Sequence, residues 1–274
     1  MYPVLFKFGS LEIRFYGVMI ALAFIAGTLI GEREARRKGF PPGTVYDLLS
    51  FMLIAVVIGA RLYYVIFSDL YWFISHPFEI IAIWKGGLSL HGGMIGGLAA
   101  GIWYCRKRGL SVWKFSDVLA PSAILGQAIG RIGCTLNGCC YGKETDLPWG
   151  FIYTDPHSSA PLGIPLHPTQ VYEIILSLIL FAGIWYSRKK TSFDGRMFLT
   201  YIMGYGIIRF FLEFFRGDSL LLFNLIPVPH AMSTVVFLTG LILYIYRKKS
   251  GSAAGSEPLN KQINVKGKKS EARS

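Results

Sequence analysis

The chain has 274 residues, 53% of them hydrophobic and only 16% charged, and its mean hydropathy is +0.45. Soluble domains carry about a quarter charged residues, so this composition excludes an ordinary soluble globular protein and points to repeated membrane-spanning helices. The net charge of +12 does not imply nucleic acid as a partner: the basic residues sit between apolar runs and at the C-terminus, and no basic face of a soluble domain carries them.

Met1 to Arg14 scatters Lys7, Glu12 and Arg14 among apolar residues. That is not the basic start, apolar core and small-residue cleavage site of a secretory leader. An amphipathic approach lying on the membrane surface is expected there, with the first span acting as its own insertion signal. Span one is Phe15 to Gly31 and opens with Tyr16. A basic loop, Glu32 to Gly43, ends in a Pro-Pro-Gly turn. Span two runs from about Leu48 to Phe67 and carries Arg61; the loop Ser68 to Lys85 is rich in aromatics, as at a headgroup interface.

Span three, about Gly86 to Cys105, begins GGLSLHGGMIGG, with His91 near its start. Gly92/Gly96 and Gly93/Gly97 are spaced to allow close helix approach. After the basic loop Arg106 to Lys114 comes span four, about Phe115 to Gly133, which contains Gln127 and Arg131. Cys134 to Leu166 is polar and proline-bearing, the one piece large enough for a small extramembrane subdomain. Span five, about His167 to Ser187, opens HPTQVYE and so carries Gln170, Tyr172 and Glu173 in its first turns. A third basic loop, Arg188 to Arg196, precedes span six, about Met197 to Phe215; span seven is about Val228 to Tyr246. The tail Arg247 to Ser274 is rich in Gly, Ser and Lys, and disorder is expected of it.

Each of the three basic loops holds four Lys or Arg and the tail holds eight, of 28 in the chain. With seven spans all four segments fall on one side, which the positive-inside rule makes the cytoplasm. The expected fold is therefore an all-α polytopic membrane protein of seven transmembrane helices, N-terminus outside and C-terminus cytoplasmic. Residues 1–246 form its membrane domain, 134–166 an extracytoplasmic segment and 247–274 a cytoplasmic tail. In that topology Tyr16, Arg61, His91, Arg131, Gln170, Glu173 and Arg209 all lie in the outer half of the membrane.

A charged side chain deep in a span costs about 2.5–3.5 kcal/mol on insertion scales and marks function by default. Guanidiniums stay ionised and grip phosphate with fork geometry, so Arg61, Arg131 and Arg209 at one depth invite an anionic lipid headgroup. The competing reading is internal pairing: Arg209 and Glu213 are i,i+4 and Glu213 and Arg216 i,i+3, so span six can satisfy itself. Arg131 has no carboxylate within a helical turn. His91, flanked by glycines at the same depth, reads as a general base or phosphate contact, the alternative being a histidine satisfied by a carbonyl. Tyr205 is i,i+4 from Arg209 and shares its face. Cys134 and Cys139 are close enough in sequence for a short disulfide, whereas zinc would want ligands in recognisable pairs that the spacing does not supply. Structure or small-residue packing is favoured for the cysteines over nucleophilic catalysis.

Six motifs, FYG (Phe15–Gly17), GARLYYV (Gly59–Val65), HGGMIGG (His91–Gly97), GRIGCTLNGCCYG (Gly130–Gly142), HPTQVYE (His167–Glu173) and YGIIRFFLEFFRGD (Tyr205–Asp218), resemble in order those of bacterial prolipoprotein diacylglyceryl transferases. The resemblance implies a seven-helix enzyme of the bacterial cytoplasmic (inner) membrane with its active site facing the outer leaflet. It implies transfer of the diacylglyceryl group of phosphatidylglycerol to the lipobox cysteine thiol in the signal peptide of a prelipoprotein, leaving a thioether and glycerol phosphate. It also implies His91, Arg131, Arg209 and Tyr16 as the catalytic core, with Asn137, Tyr205 and Glu213 in support, and neither cofactor nor metal. The family usually has asparagine where Cys134 stands and glutamate where Cys139 stands, and PHAMS (Pro229–Ser233) replaces a turn that often contains glutamine. Two other readings stand beside it: a phospholipid or anion transporter, against which the absence of an internal repeat counts, and a divergent paralogue with another acceptor, motivated by the two cysteines.

Overall fold

The computed structural model describes residues 4–8, 11–190, 192–217, 221–222 and 226–254. Two short strands, β1 (Val4–Phe8) and β2 (Leu11–Arg14), come first, followed by α1 (Phe15–Arg37) and α2 (Thr44–Ser68). Two short helices, α3 (Leu70–Ser75) and α4 (Pro77–Ile80), and a 3-10 turn (Ile83–Lys85) then lead to α5 (Leu90–Lys107) and α6 (Val112–Asn137). After β3 (Phe151–Ile152) and β4 (Pro165–Leu166) come α7 (Thr169–Ser187), α8 (Arg196–Glu213), β5 (Leu221–Leu222), β6 (Ile226–Pro227) and α9 (Val228–Ala254).

A long helix stands at each of the seven expected spans. Helices α1, α2, α7 and α9 (to Ser250) are long and apolar enough to cross a membrane. The other three are less apolar: α5 is rich in glycine, α6 carries Gln127 and Arg131, and α8 carries Arg209 and Glu213. The protein is a helical membrane protein.

Three expectations change. The N-terminal segment is an antiparallel hairpin, with Phe8 paired to Leu11 and Lys7 to Glu12. Leu-Glu-Ile-Arg alternates apolar and polar residues with the period of a strand, and the Lys7 ammonium lies 2.8 Å from Glu12. The aromatic loop after α2 is partly helical: Asp69 caps α3 by accepting from the Trp72 N–H at 3.1 Å, and Pro77 opens α4. Helix α9 continues past Tyr246 to Ala254, so the tail begins as helix; its remainder, 255–274, lies outside the described residues, as does Asp218 of the last motif.

The chain forms two compact units, Phe24–Ser122 on the one hand and Met1–Ala23 with Ala123–Ser274 on the other. Within Phe24–Ser122, α2 and α5 pack backbone to backbone. A Cβ on Gly92 would collide with the Gly59 carbonyl, and one on Gly96 with the Ala55 carbonyl. A Cβ on Gly93 or Gly97 would meet only the Val56 side chain, at 3.3 and 3.0 Å, so Gly92/Gly96 makes the closer seam. At the far end of these helices Phe40, Val45, Leu48, Tyr104, Phe115 and Val118 bury one another. Beside them Lys38 and Asp117, both buried, pair at 2.8 Å. One lysine of the first basic loop is thus spent on packing.

In the other unit, residues 138–168 fold over a small core of Tyr153, Ala160 and Leu166. Here β3 pairs with β4. The chain after α6 is stitched to its neighbours: Gly142 N–H donates to His167 O at 3.1 Å and Lys143 N–H to Phe215 O at 2.8 Å. A Cβ on Gly142 would lie 2.5 Å from both Cβ and O of His167, so only glycine lets these backbones meet.

Candidate active site

Residues on α6, α7 and α8 build one charged chain. Tyr205, Arg209 and Glu213 follow at i,i+4 along one face of α8, and Gln170 and Glu173 at i,i+3 along α7. Arg131 Nε lies 2.9 Å from Glu173 Oε1, and Arg209 Nη1 lies 3.6 Å from Glu173 Oε2. Arg209 Nη2 donates to Glu213 Oε2 at 3.3 Å. Arg216 Nε lies 3.8 Å from the same carboxylate oxygen. The Tyr205 hydroxyl donates to Glu173 Oε1 at 3.1 Å. The order is Arg131–Glu173–Arg209–Glu213–Arg216, three guanidiniums against two carboxylates.

Two properties follow. The carboxylates are buried while the Arg131 and Arg209 side chains keep 19% and 18% of their surface exposed, so the positive groups form the accessible side. Among the described residues Arg209 Nη1 has no hydrogen-bond acceptor: Glu173 is near enough to attract it but beyond bonding reach. A buried donor left unmet costs about 1–3 kcal/mol, and an anionic oxygen placed there would meet it.

Of the expected site residues, Arg131, Glu173, Tyr205, Arg209 and Glu213 come together. Tyr16, half-exposed near the start of α1, stands beside them: a Cβ on Gly133 of α6 would lie 3.3 Å from its Cα and Cδ2. Asn137 ends α6, half-buried, its carbonyl accepting from Ser159 N–H at 3.4 Å. Gln170 does something else. Its amide donates to Cys139 O at 2.8 Å and to the Tyr153 hydroxyl at 3.1 Å, which places it as a clamp on the loop.

His91 and Arg61 belong to Phe24–Ser122. His91 is exposed at the N-terminal end of α5, its ring stacked on Tyr63 at a centroid distance of 6.1 Å. Arg61 is buried, and its guanidinium is spent on backbone. Nε donates to Ile80 O (2.9 Å), Nη1 to Gly86 O and Gly87 O (2.6 and 2.9 Å) and Nη2 to Glu79 O (2.5 Å). It staples the segment that follows α2 and leaves no fork for phosphate.

The sequence hid two features. Arg131 has its carboxylate after all, Glu173, delivered from α7 across 42 residues; only helix packing makes them neighbours. The second is the thiol cluster. All four cysteines are free, so the short disulfide is not formed. The Sγ atoms of Cys134, Cys139 and Cys140 lie within 4.8 Å of one another, and Arg131 Nη1 donates to Cys134 Sγ at 3.9 Å. Hydrogen bonds from Cys134 and Cys139, reinforced by Arg131 and Arg216, hold the Cys140 thiol far below its ordinary value despite burial.

The family model described as prolipoprotein diacylglyceryl transferase matches residues 3–246. Three similar proteins are named phosphatidylglycerol–prolipoprotein diacylglyceryl transferase. That of Geobacter sulfurreducens is 37% identical over 91% of this chain and 97% of its own length. That of Solidesulfovibrio magneticus is 38% identical over 92% and 97%, and that of Bacillus velezensis 37% over 92% and 94%. With the match running from the hairpin through α9, the chain belongs to the prolipoprotein diacylglyceryl transferase family.

Proposed function

We propose that this protein transfers the diacylglyceryl group of phosphatidylglycerol to the cysteine thiol of a prolipoprotein, in a seven-span topology with the N-terminus outside and the site at the outer leaflet of the bacterial inner membrane. The observation that carries the site is the charge chain: the partly exposed guanidiniums of Arg131 and Arg209 lie over two buried carboxylates, with one buried Arg209 donor unmet among the described residues. The accessible guanidiniums of Arg131 and Arg209 give that face a surplus of positive charge, which suits a phosphodiester anion.

The reaction uses that surplus. The acceptor sulfur attacks the sp³ glyceryl carbon that bears the phosphoester oxygen. The C–S bond forms, the C–O bond breaks, and glycerol phosphate departs with the electron pair. The phosphate goes from one negative charge towards two, so Arg131 and Arg209 bind it more strongly in the transition state than in the ground state. Glu173 holds both guanidiniums in register and Tyr205 fixes Glu173. The thiol must lose its proton, because thiolate is the nucleophile. The motif resemblance makes His91, exposed at the N-terminal end of α5, the candidate for that role, and Tyr16 packs beside Gly133 of α6. The nucleophile arrives with the substrate, so no cysteine of the enzyme is consumed. The two acyl chains on the product give stable anchoring, which one chain does not.

The test is a purified system of phosphatidylglycerol vesicles and a lipobox peptide. Thioether product lost in Arg131→Ala and His91→Ala, with both variants folded, supports the assignment. Lipid movement without thioether indicates a transporter, and normal rates in both variants overturn the site.

A further inference from the structure

Cys134, Cys139 and Cys140 take no part in the transfer, yet the fold spends effort on placing them. Cys134 sits in the last turn of α6, buried. Cys139 N–H donates back to Cys134 O at 3.2 Å. The Cys139 carbonyl is held by Gln170 and the Cys140 carbonyl by Thr169 Oγ1, each at 2.8 Å. Cys140 has φ of 61°, the one positive φ at a non-glycine among the described residues. A left-handed conformation at such a residue costs of order 1 kcal/mol and persists where the surroundings enforce it. Here it brings the third sulfur back towards the other two.

We infer that Cys134, Cys139 and Cys140 form a binding site for one thiophilic metal ion of the zinc class, held by three thiolates at the end of α6. Thiolates select Zn and Cu(I) over hard cations. A tripod of Zn–S bonds of about 2.3 Å sets sulfurs roughly 3.8 Å apart, so the observed limit of 4.8 Å closes by side-chain rotation on a backbone already fixed. Three thiolates and a divalent ion carry one net negative charge, which the Arg131 guanidinium, already bonded to Cys134 Sγ, offsets. Three protein ligands leave a fourth position for an exchangeable ligand, as in open zinc sites.

The experiment uses the purified full chain, reduced with a phosphine and freed of reductant, and Cd²⁺ alone as probe. One Cd²⁺ binds per chain, with the ultraviolet charge-transfer absorption of three thiolate–cadmium bonds, and Zn²⁺ displaces it. Cys134→Ser, Cys139→Ser and Cys140→Ser each weaken binding ~10-fold or more, whereas Cys105→Ala, altering a buried thiol of the other unit, leaves it unchanged. Should the serine variants fail to fold, bound Cd²⁺ in the unaltered protein still slows alkylation of Cys139 and Cys140, read by peptide mass spectrometry. Absence of binding, full binding in any of the three variants, unslowed alkylation, or a Cys134–Cys139 disulfide formed in place of the ion overturns the inference. The readouts involve no lipid transfer, so their failure leaves the transferase reading standing.

Discussion

Arg61 and Arg209 are both arginines inside long helices, and expected depth alone treats them alike. The structure does not. Arg61 is buried and gives every arm of its guanidinium to a backbone carbonyl, while Arg209 shares two carboxylates and keeps one arm without an acceptor. A saturated guanidinium has nothing left to offer a ligand, and its removal leaves carbonyls unmet. An incompletely satisfied one keeps a donor that an anionic oxygen can meet. Degree of satisfaction, more than depth or burial, separates the stapling arginine from the one proposed to bind phosphate.

Substitutions sharpen that contrast. The largest effect on chemistry is expected at Arg131→Ala and Arg209→Ala: transfer to a lipobox peptide falls ~100- to 1,000-fold in kcat, measured on the folded fraction. Lysine at either position does not restore the rate, because a point charge cannot reproduce the fork. The converse holds for Arg61→Ala. It costs about 3–5 kcal/mol of stability, seen as a lower denaturation midpoint in detergent, while the folded fraction keeps its turnover; a large loss of turnover at unchanged stability would erase the distinction between the two arginines. Next comes Gly92→Val, which forces α2 and α5 apart and destabilises by about 1–3 kcal/mol without touching the charge chain. The smallest loss of turnover is expected for Glu173→Gln, which keeps the shape but removes the charge that holds Arg131 and Arg209 in register: transfer falls ~10-fold in kcat.

Most helices were legible. Long apolar runs bounded by basic loops place α1, α2 and α5 through α9 within a few residues, because burying backbone in lipid admits little else. The glycine spacing at Gly92 and Gly96 announced the α2–α5 seam, and Tyr205, Arg209 and Glu213 announced one face of α8, since helical period alone decides both. The hairpin was missed, although Leu11 to Arg14 alternates. Its pairing depends on a partner strand, and so does not register as membrane-length hydropathy. Gln170 is legible only as a polar residue in the first turns of its span; the acceptor of its amide, the Cys139 carbonyl, lies on a loop that no periodicity describes.

The sequence by itself determined that the chain is a helical membrane protein, where its long helices stand, and to which family its motifs belong, because hydropathy and motif order are properties of neighbouring residues. Only the tertiary structure decided that Arg131 answers to Glu173, that Arg61 is a staple, and that three cysteines share one corner with the arginine. Each of those is a contact between segments distant along the chain or a choice among backbone acceptors. Packing, through close glycine approaches and one enforced left-handed turn, fixes which of them occur.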